Sequence, residues 1–318
     1  MKQYYLFFIL FIVLDSSFAS SQTSINRSFA HYGIYDTDGT KPYEYQQRRA
    51  AVMALMDSGF IAIFHANKLV NRNGDTDYKF RQNDNILYLT GCNKTNSTLI
   101  LAPDRILMDS VTMVKEILFV GEYTKNWNGY NLGLEGAKHV LGFGDQKTIS
   151  IVVPTEKLKT VLPQILQSKT ILYYTPSLPD ILIDPISNTT FSVVRAVRKG
   201  LKEKYPTLTV KSSGMLVNEL RSVKSSAEIV MMQKAIDATM YGCMEAMKCC
   251  TPNIYEYELQ AVIEYCFIRS GCEFYGFPSI VGSGPNTLSF HYESNRRQMK
   301  SGELVVMDKR RWLSITWN

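Results

Sequence analysis

The sequence predicts an α/β domain that is followed by a smaller α+β domain. Three observations lead to this prediction. Short β-forming runs alternate with helical segments in the first half of the chain, two long helical segments follow, and short strands return near the end. Alternating strands and helices indicate a sheet that is covered by helices, whereas separate runs of helices and strands indicate an α+β arrangement.

The composition is that of a globular protein without a nucleic-acid partner. The 318 residues are 45% hydrophobic and 20% charged, and the net charge is +6, from 35 basic and 29 acidic residues. Three cations, Lys309, Arg310 and Arg311, lie together near the end, and the remaining excess is scattered. Because no basic stripe with interleaved aromatic residues is present, we do not expect nucleic-acid binding.

Residues 1–19 have the pattern of a secretory signal peptide. Lys2 precedes an apolar run over residues 6–14, and the small residues Ser17 and Ala19 suit cleavage after Ala19. The apolar run is too short to cross a bilayer. We therefore predict a secreted or periplasmic protein with no membrane attachment after cleavage, and an uncleaved N-terminal tether is the alternative.

The α/β domain is predicted over residues 43–180. It begins with a helix in "YEYQQRRAAVMALMDSG", which is expected to end near Gly59. The predicted strands are "FIAIFHA", "ILYLTG", "STLILAP", "EILFVGE", "TISIVVP" and "TILYYTP", and "TEKLKTVLPQIL" is a second helix between the last two. Residues 181–215, which contain a basic helix that runs into Pro206, are predicted to be a linker.

The second domain is predicted over residues 216–318 and begins with two antiparallel helices. Ser225 and Glu228 form a candidate capping box for the first helix. Its apolar residues at steps of three and four are expected to be buried in the core: Ile229, Met232, Ile236, Met240, Cys243, Met247 and Cys250. Asn253 and Glu256 are expected to cap the second helix, whose buried stripe is Leu259, Ile263, Cys266 and Phe267.

Three strands are predicted after these helices, in "SIVGSG", "TLSFHY" and "SGELVVMD". The alternation in "TLSFHY" turns His291 away from the face of Leu288 and Phe290. Residues 304–307 are apolar on both faces, which predicts a central, buried strand that ends in Asp308. A buried carboxylate must be paired, hydrogen-bonded or metal-bound. Asp308 is therefore a candidate metal ligand, and we expect it to face the same cleft as His291 from a neighbouring strand.

Several of these segments resemble a known family. "YKFRQNDNILYLTGCNKTNSTLILAP" and "WNGYNLG", from Trp127, are similar to motifs of the aminopeptidase P and prolidase N-terminal domain. "LRSVKSSAEIVMMQKA", "GFPSIVGSGPNTLSFHYESN" and "GELVVMD" resemble the opening third of the pita-bread metallopeptidase domain. The resemblance runs in order over residues 43–308. It implies an α/β domain of the creatinase/prolidase N-terminal type, followed by a partial pita-bread catalytic domain.

The resemblance also implies a reaction and a site. Enzymes of this family remove an N-terminal residue that precedes proline, so the expected partners are peptides with proline at the second position. They use two divalent ions, usually manganese, held by two Asp, one His and two Glu. Asp308 matches the first metal-binding Asp. His291 matches the His that hydrogen-bonds the substrate or its developing oxyanion, although strand geometry alone fits a packed polar residue equally well. Subunit contacts of the family's N-terminal domain lead us to expect a homo-oligomer.

The pattern of the family ends at Asp308. The following "KRRWLSITWN" contains no Asp, Glu or His, so one of five metal ligands is matched. We expect a chain that is truncated within the catalytic domain, that binds manganese poorly and is inactive as written, and that leaves Leu304, Val305 and Val306 exposed. Our hypothesis for the loss of the family pattern is a shift of reading frame after Asp308. Sequencing the downstream DNA tests it, because a shifted frame should encode the missing metal ligands. A non-catalytic relative that acts as a binding or assembly module is the alternative, and a metal-free, creatinase-like enzyme is a third.

Overall fold

The computed structural model describes residues 40–107, 113–121, 151–176, 181–183, 190–272, 274–308 and 311–312. The predicted signal peptide and the segment from Trp127 lie outside these residues. The elements in chain order are α1 (Pro42–Ala54), β1 (Phe60–His65), β2 (Asn71–Asn73), β3 (Thr76–Asp77), α2 (Asp84–Thr90), β4 (Thr98–Leu107), β5 (Met113–Val120), β6 (Ile151–Pro154), α3 (Leu158–Gln167), β7 (Ile171–Tyr174), β8 (Ile181–Ile183), β9 (Thr190–Ser192), α4 (Val193–Lys204), β10 (Thr209–Lys211), α5 (Gly214–Ser222), α6 (Ser226–Cys249), α7 (Glu256–Arg269), β11 (Phe274–Tyr275), β12 (Ile280–Ser283), β13 (Val305–Asp308) and β14 (Arg311–Trp312).

A six-stranded mixed sheet forms the predicted α/β domain. Its strand order is β10-β7-β1-β4-β5-β6, in which β4 is antiparallel to both β1 and β5 and the other neighbours are parallel. The predicted linker over residues 181–215 differs from what the structure shows. Within it, β10 pairs with β7 as an edge strand of this sheet, so the α/β domain continues past residue 180.

Both faces of this sheet are buried. Alternate residues of β1 belong to two separate apolar clusters, because successive side chains of a strand point to opposite faces of the sheet. Ala62 and Phe64 pack with residues of α1, α2 and α5, whereas Ile61 and Ile63 pack with residues of α3 and β5. The result is a sheet between two helical layers, as expected for an α/β domain.

The segment "ILYLTG", which we predicted to be a strand, is the helix α2. Asn83 caps it, because its side chain accepts hydrogen bonds from the backbone N–H groups of Asn85 and Ile86. Gly91 ends it with a φ of 68°, in the left-handed region that glycine adopts easily. The prediction was wrong because a short apolar run between polar residues fits a buried strand and a short buried helix equally well.

The two long predicted helices are confirmed as α6 and α7. The capping box of Ser225 and Glu228 is present at the start of α6. The second cap is shifted, because the N-cap of α7 is Tyr255, with Glu258 completing the box, and Asn253 lies before it with a φ of 75°. No described helix is both long enough and apolar enough to cross a membrane.

The buried face of α6 is not the predicted stripe. Ile229, Ile236, Met240 and Met247 are exposed, and the buried residues at the helix centre are small: Ala238, Gly242 and Ala246. A Cβ atom at Gly242 would lie 3.0 Å from the ring of Phe267 in α7. The small residues therefore allow a close approach of the two helices that the methionine stripe would prevent.

The buried stripe of α7 is confirmed, and it forms the core of the second domain. Leu259, Ile263, Cys266 and Phe267 are buried. Three of them pack in one cluster that also holds residues of α6, β12 and the segments next to the two strands: Leu259, Ile263, Phe267, Ala246, Cys272, Val281 and Met299. The helix α7 is thus fixed against the antiparallel pair of β12 and β13.

Candidate functional site

His291 lies on a turn and not on the predicted strand. A short 3-10 helix, Gly284–Leu288, follows β12 and replaces the start of "TLSFHY". Pro285 in its first turn favours such a helix start over a sheet position, because proline cannot donate to a strand ladder. His291 is exposed, and its φ of 56° places it in the left-handed region, which costs a residue other than glycine about 1–2 kcal/mol.

Asp308 ends β13, as predicted, but it is exposed. Its partner in the strand pair is Ile280 of β12. The prediction of a central strand buried on both faces was wrong within the described residues, because β13 pairs with β12 in a two-stranded sheet. Leu304 is 80% exposed and Val306 is 42% exposed, as we expected for an open strand edge, whereas Val305 is partly buried.

The two predicted site residues therefore lie on different kinds of element, a turn and a strand end. In the part of the chain that the structure describes, no group of three or more His, Cys, Asp or Glu side chains is placed to hold a metal ion. One exposed carboxylate does not provide the ligand set of a two-metal centre. The described residues thus do not by themselves fit the manganese pair that the family resemblance implies.

A buried carboxylate that the sequence analysis did not assign to the site organises the segment around His291. Glu256, the first residue of α7, is fully buried. Its Oε1 atom accepts hydrogen bonds from the backbone N–H of Ser283 at 2.7 Å, from the Ser283 hydroxyl at 2.8 Å and from Asn286 Nδ2 at 3.2 Å. Its Oε2 atom accepts from the Tyr292 hydroxyl at 2.8 Å and from the backbone N–H of Arg297 at 3.0 Å.

The hydrogen bonds to Glu256 determine its charge state. Burial by itself would raise the pKa of the Glu256 carboxyl, but the hydrogen bonds from Arg297, Ser283 and Tyr292 outweigh burial and hold the pKa below its usual value. The carboxylate also sits in the first turn of α7, where the helix dipole favours a negative charge. Glu256 is therefore ionised at neutral pH and accepts all five bonds.

Two further polar side chains follow Glu256 along the same face of α7. Gln260 Oε1 accepts from Asn295 Nδ2 at 2.8 Å, and Glu264 accepts from the hydroxyl of Ser279. Asn295 is fully buried; its Oδ1 accepts from the backbone N–H of Val281 at 3.0 Å. Positions 256, 260 and 264 are spaced by four, so they line one side of the helix. We call Glu256, Gln260 and Glu264 the polar ladder of α7.

An ion pair closes the end of the segment that begins at Gly284. Arg297 donates to Ser283 Oγ at 2.8 Å and forms two hydrogen bonds with Glu303, at 2.6 and 2.5 Å. The hydrogen bonds from Arg297 lower the pKa of the Glu303 carboxyl. The segment of residues 284–303 is therefore attached at both ends to β12 and α7. The spacing of four between the ladder residues is the signal in the sequence that predicts this polar side of α7.

Two family models match the chain in the order of its two domains. The model described as "Aminopeptidase P, N-terminal domain" matches residues 45–173, and that of "Metallopeptidase family M24" matches residues 230–309. The first covers most of the six-stranded sheet, and the second covers most of α6, all of α7 and the segment from His291 to Asp308.

Named relatives agree with these matches. The Xaa-Pro aminopeptidases of Haemophilus influenzae and Escherichia coli are 31% and 29% identical to the chain, each over 83% of it, and the matches span 56% and 58% of those proteins. The solved structure of Pseudomonas aeruginosa aminopeptidase PepP superposes with a TM-score of 0.70 at 25% identity, over 87% of this chain and 60% of that one. The chain thus spans a little over half the length of these relatives. With both domains matched in order, it belongs to the aminopeptidase P group of the M24 metallopeptidase family.

Proposed function

We propose that this protein takes part in the metal-dependent removal of an N-terminal residue that precedes proline. The observation that carries the proposal is the joint match of both domains, in order, to a family whose named relatives here are Xaa-Pro aminopeptidases. A match to the N-terminal domain alone would fit a binding module. The match to the metallopeptidase family includes His291 and Asp308, so it supports a catalytic assignment.

We assign His291 to the substrate side of the site and Asp308 to the metal side. His291 is exposed on a segment that is attached at both ends, so its imidazole can meet a peptide without moving the core. Imidazole can donate or accept a hydrogen bond near neutral pH, as contact with a peptide carbonyl requires. Asp308 offers an exposed carboxylate, a hard ligand of the type that suits manganese or another divalent ion of similar preference.

For the 318 residues as printed, we propose weak metal binding and no cleavage. The described residues hold a single residue that matches the ligand set, and a divalent ion on one exposed carboxylate remains mostly hydrated. The non-catalytic alternative, a binding or assembly module, is favoured for this stretch alone by the same observation. Calorimetric titration with Mn²⁺ tests it: we expect the 318-residue chain and its Asp308→Ala variant to bind equally weakly, and a tight site lost in the variant contradicts the proposal.

A chimera tests the catalytic proposal. It joins residues 1–308 of this chain to the part of the Haemophilus influenzae relative that follows its match to Asp308. With Mn²⁺ added, we expect release of the N-terminal residue from an Xaa-Pro peptide, and loss of that release in Asp308→Ala. Asp237→Ala is the matched control, because Asp237 is an exposed carboxylate on α6 that contacts Gln233. Activity that survives Asp308→Ala contradicts the assignment.

We also propose that residues 1–19 direct export. The apolar run and the small residues before the expected cleavage point support this proposal. The test is expression in a host with a secretion pathway, followed by N-terminal sequencing of the product. A chain that begins at residue 20 outside the cytoplasm is the expected result, and a chain that keeps residues 1–19 contradicts the proposal.

A further inference from the structure

We propose that Glu256 is the positioning residue for His291: its buried carboxylate holds the segment of residues 284–297 in the conformation that presents the imidazole. The inference rests on the proposed function only for what His291 does when it is presented. The fixing of the segment follows from the hydrogen bonds that Glu256 accepts. None of these described hydrogen bonds involves the imidazole of His291.

The contacts of Glu256 join the start of α7 to four residues of one later stretch, 27 to 41 positions further along the chain. Five hydrogen bonds reach its two oxygen atoms, from Ser283 at the end of β12, from Asn286 in the 3-10 helix, from Tyr292 and from Arg297. Tyr292 follows His291 directly, so the bond from its hydroxyl fixes the residue next to the imidazole. Hydrogen bonds to an ionised acceptor are stronger than those between neutral groups.

Apolar packing contributes little to holding the same segment. Leu288 is 85% exposed and Phe290 is 96% exposed, so the two large apolar side chains before His291 bury almost no area. Side chains that remain in water gain no burial free energy. Hydrogen bonds therefore fix this segment: those that Glu256 accepts from Asn286, Tyr292 and Arg297, and those of the buried Asn295 side chain further along.

The backbone of the segment needs such a hold. His291 and Asn295 both have a positive φ, of 56° and 47°. This conformation is strained for histidine and less so for asparagine, and a strained residue keeps it where the surrounding structure fixes it. Each lies close to a described anchor, because Tyr292 contacts Glu256 and the Asn295 side chain contacts Gln260. The polar ladder of α7 thus imposes the two unfavourable conformations that shape the turn.

The ladder is a rigid support, because the adjacent stripe of α7 is packed in the core against the same strand, β12. Leu259, Ile263 and Phe267 are buried in the cluster with β12. Because core packing fixes α7, the Glu256 carboxylate has a fixed position, and the residues that donate hydrogen bonds to it are fixed as well. Glu256 is thereby a positioning residue and not a catalytic one, since it reaches the substrate side only through the backbone that carries His291.

The test compares two hydroxyl deletions in the 318-residue chain. Tyr292→Phe keeps the ring and removes the bond to Glu256, together with the 3.4 Å bond that the hydroxyl accepts from the backbone N–H of Arg296, whose amide is therefore left out of the comparison. Tyr257→Phe removes a hydroxyl from a nearby exposed ring that stacks on Tyr255. Glu256→Gln and Glu258→Gln are a second pair, because Glu258 caps the same helix from an exposed position and glutamine can still accept its bond. Hydrogen–deuterium exchange over residues 284–297 and the ring signals of His291, assigned with His291→Gln, are the readouts.

We expect Tyr292→Phe to speed exchange over residues 284–297 by about tenfold, the equivalent of one hydrogen bond to a charged group, and to shift the His291 ring signals. Exchange in β1 and β4 should stay unchanged, as should both readouts in Tyr257→Phe and Glu258→Gln. Glu256→Gln should act more strongly than Tyr292→Phe. If Glu256→Gln does not fold, Tyr292→Phe decides. Unchanged His291 signals and exchange in Tyr292→Phe overturn the proposal, and so does faster exchange that is equal in all parts of the chain.

The chimera separates this inference from the proposed function. In an active chimera, we expect Tyr292→Phe to lower kcat about tenfold, by the same bond energy, with little change in KM. A chimera that folds but cleaves nothing contradicts the proposed function and leaves the exchange result to decide the role of Glu256. An active chimera in which Tyr292→Phe changes neither kcat nor KM overturns the role of Glu256 and leaves the proposed function intact.

Discussion

Replacing Asn295 by alanine should remove a large part of the stability of the second domain. The Asn295 side chain is fully buried and accepts a bond from the backbone N–H of Val281, at 3.0 Å. It also donates to the carbonyl of Ser279 at 2.7 Å and to Gln260 at 2.8 Å. The variant deprives two buried backbone groups of these bonds, at about 1–3 kcal/mol each. The positive φ adds about 1 kcal/mol for alanine.

The expected loss in the free energy of unfolding is therefore about 3–7 kcal/mol, within reach of the whole stability of a small domain. Urea unfolding followed by circular dichroism measures it. Asn253→Ala is the matched control, because Asn253 also has a positive φ, of 75°, and its side chain is exposed. We expect that control to lose about 1 kcal/mol. Equal losses in the two variants would refute the assigned role of the Asn295 hydrogen bonds.

Three further predictions concern the α/β domain. Arg49→Ala should lower the free energy of unfolding by about 3–5 kcal/mol in urea titrations, because the buried Glu116 carboxylate loses its ion-pair partner, whose Nε atom lies 3.1 Å away. A loss below about 1 kcal/mol contradicts this prediction. Burial lowers the pKa of His65 to about 4, so protonation of its ring favours the unfolded chain. The contribution of neutral His65 to the free energy of unfolding is fully present above pH 6.5 and should fall by about 3 kcal/mol as the pH is lowered to 4. Thermal melts across this pH range measure the fall, which should be smaller in His65→Gln. Gly91→Ala should lower Tm, because a Cβ atom there would lie 2.8 Å from the Tyr45 ring at a φ of 68°; an unchanged Tm would show that the ring moves freely.

The sequence was a good guide where local signals and packing agree. The strands of the large sheet are rich in β-branched and aromatic residues, and their burial follows from that composition. The capping box of Ser225 and Glu228 placed the start of α6 correctly, because both of its hydrogen bonds are local. Signals of this kind depend on neighbours in the chain, so a single sequence contains them.

The sequence was a poor guide where the partner of an element decided its conformation. The helix α6 is apolar on several sides, and which side is buried depends on the close approach of Gly242 to Phe267. "TLSFHY" has the alternation of a strand, but its backbone follows the bonds to Glu256, a residue more than thirty positions earlier. The roles of Asp308 and His291 come from the family resemblance, and their assignment to a site stays a prediction.

The most direct test of the proposed function is the substrate preference of the chimera that carries residues 1–308 of this chain. Two peptides that differ only in proline or alanine at the second position are incubated with the purified chimera and Mn²⁺, and the released N-terminal amino acid is measured by mass spectrometry. We predict release from the proline peptide alone, and loss of that release in His291→Ala. Equal release from both peptides, or release that survives His291→Ala, would contradict the account.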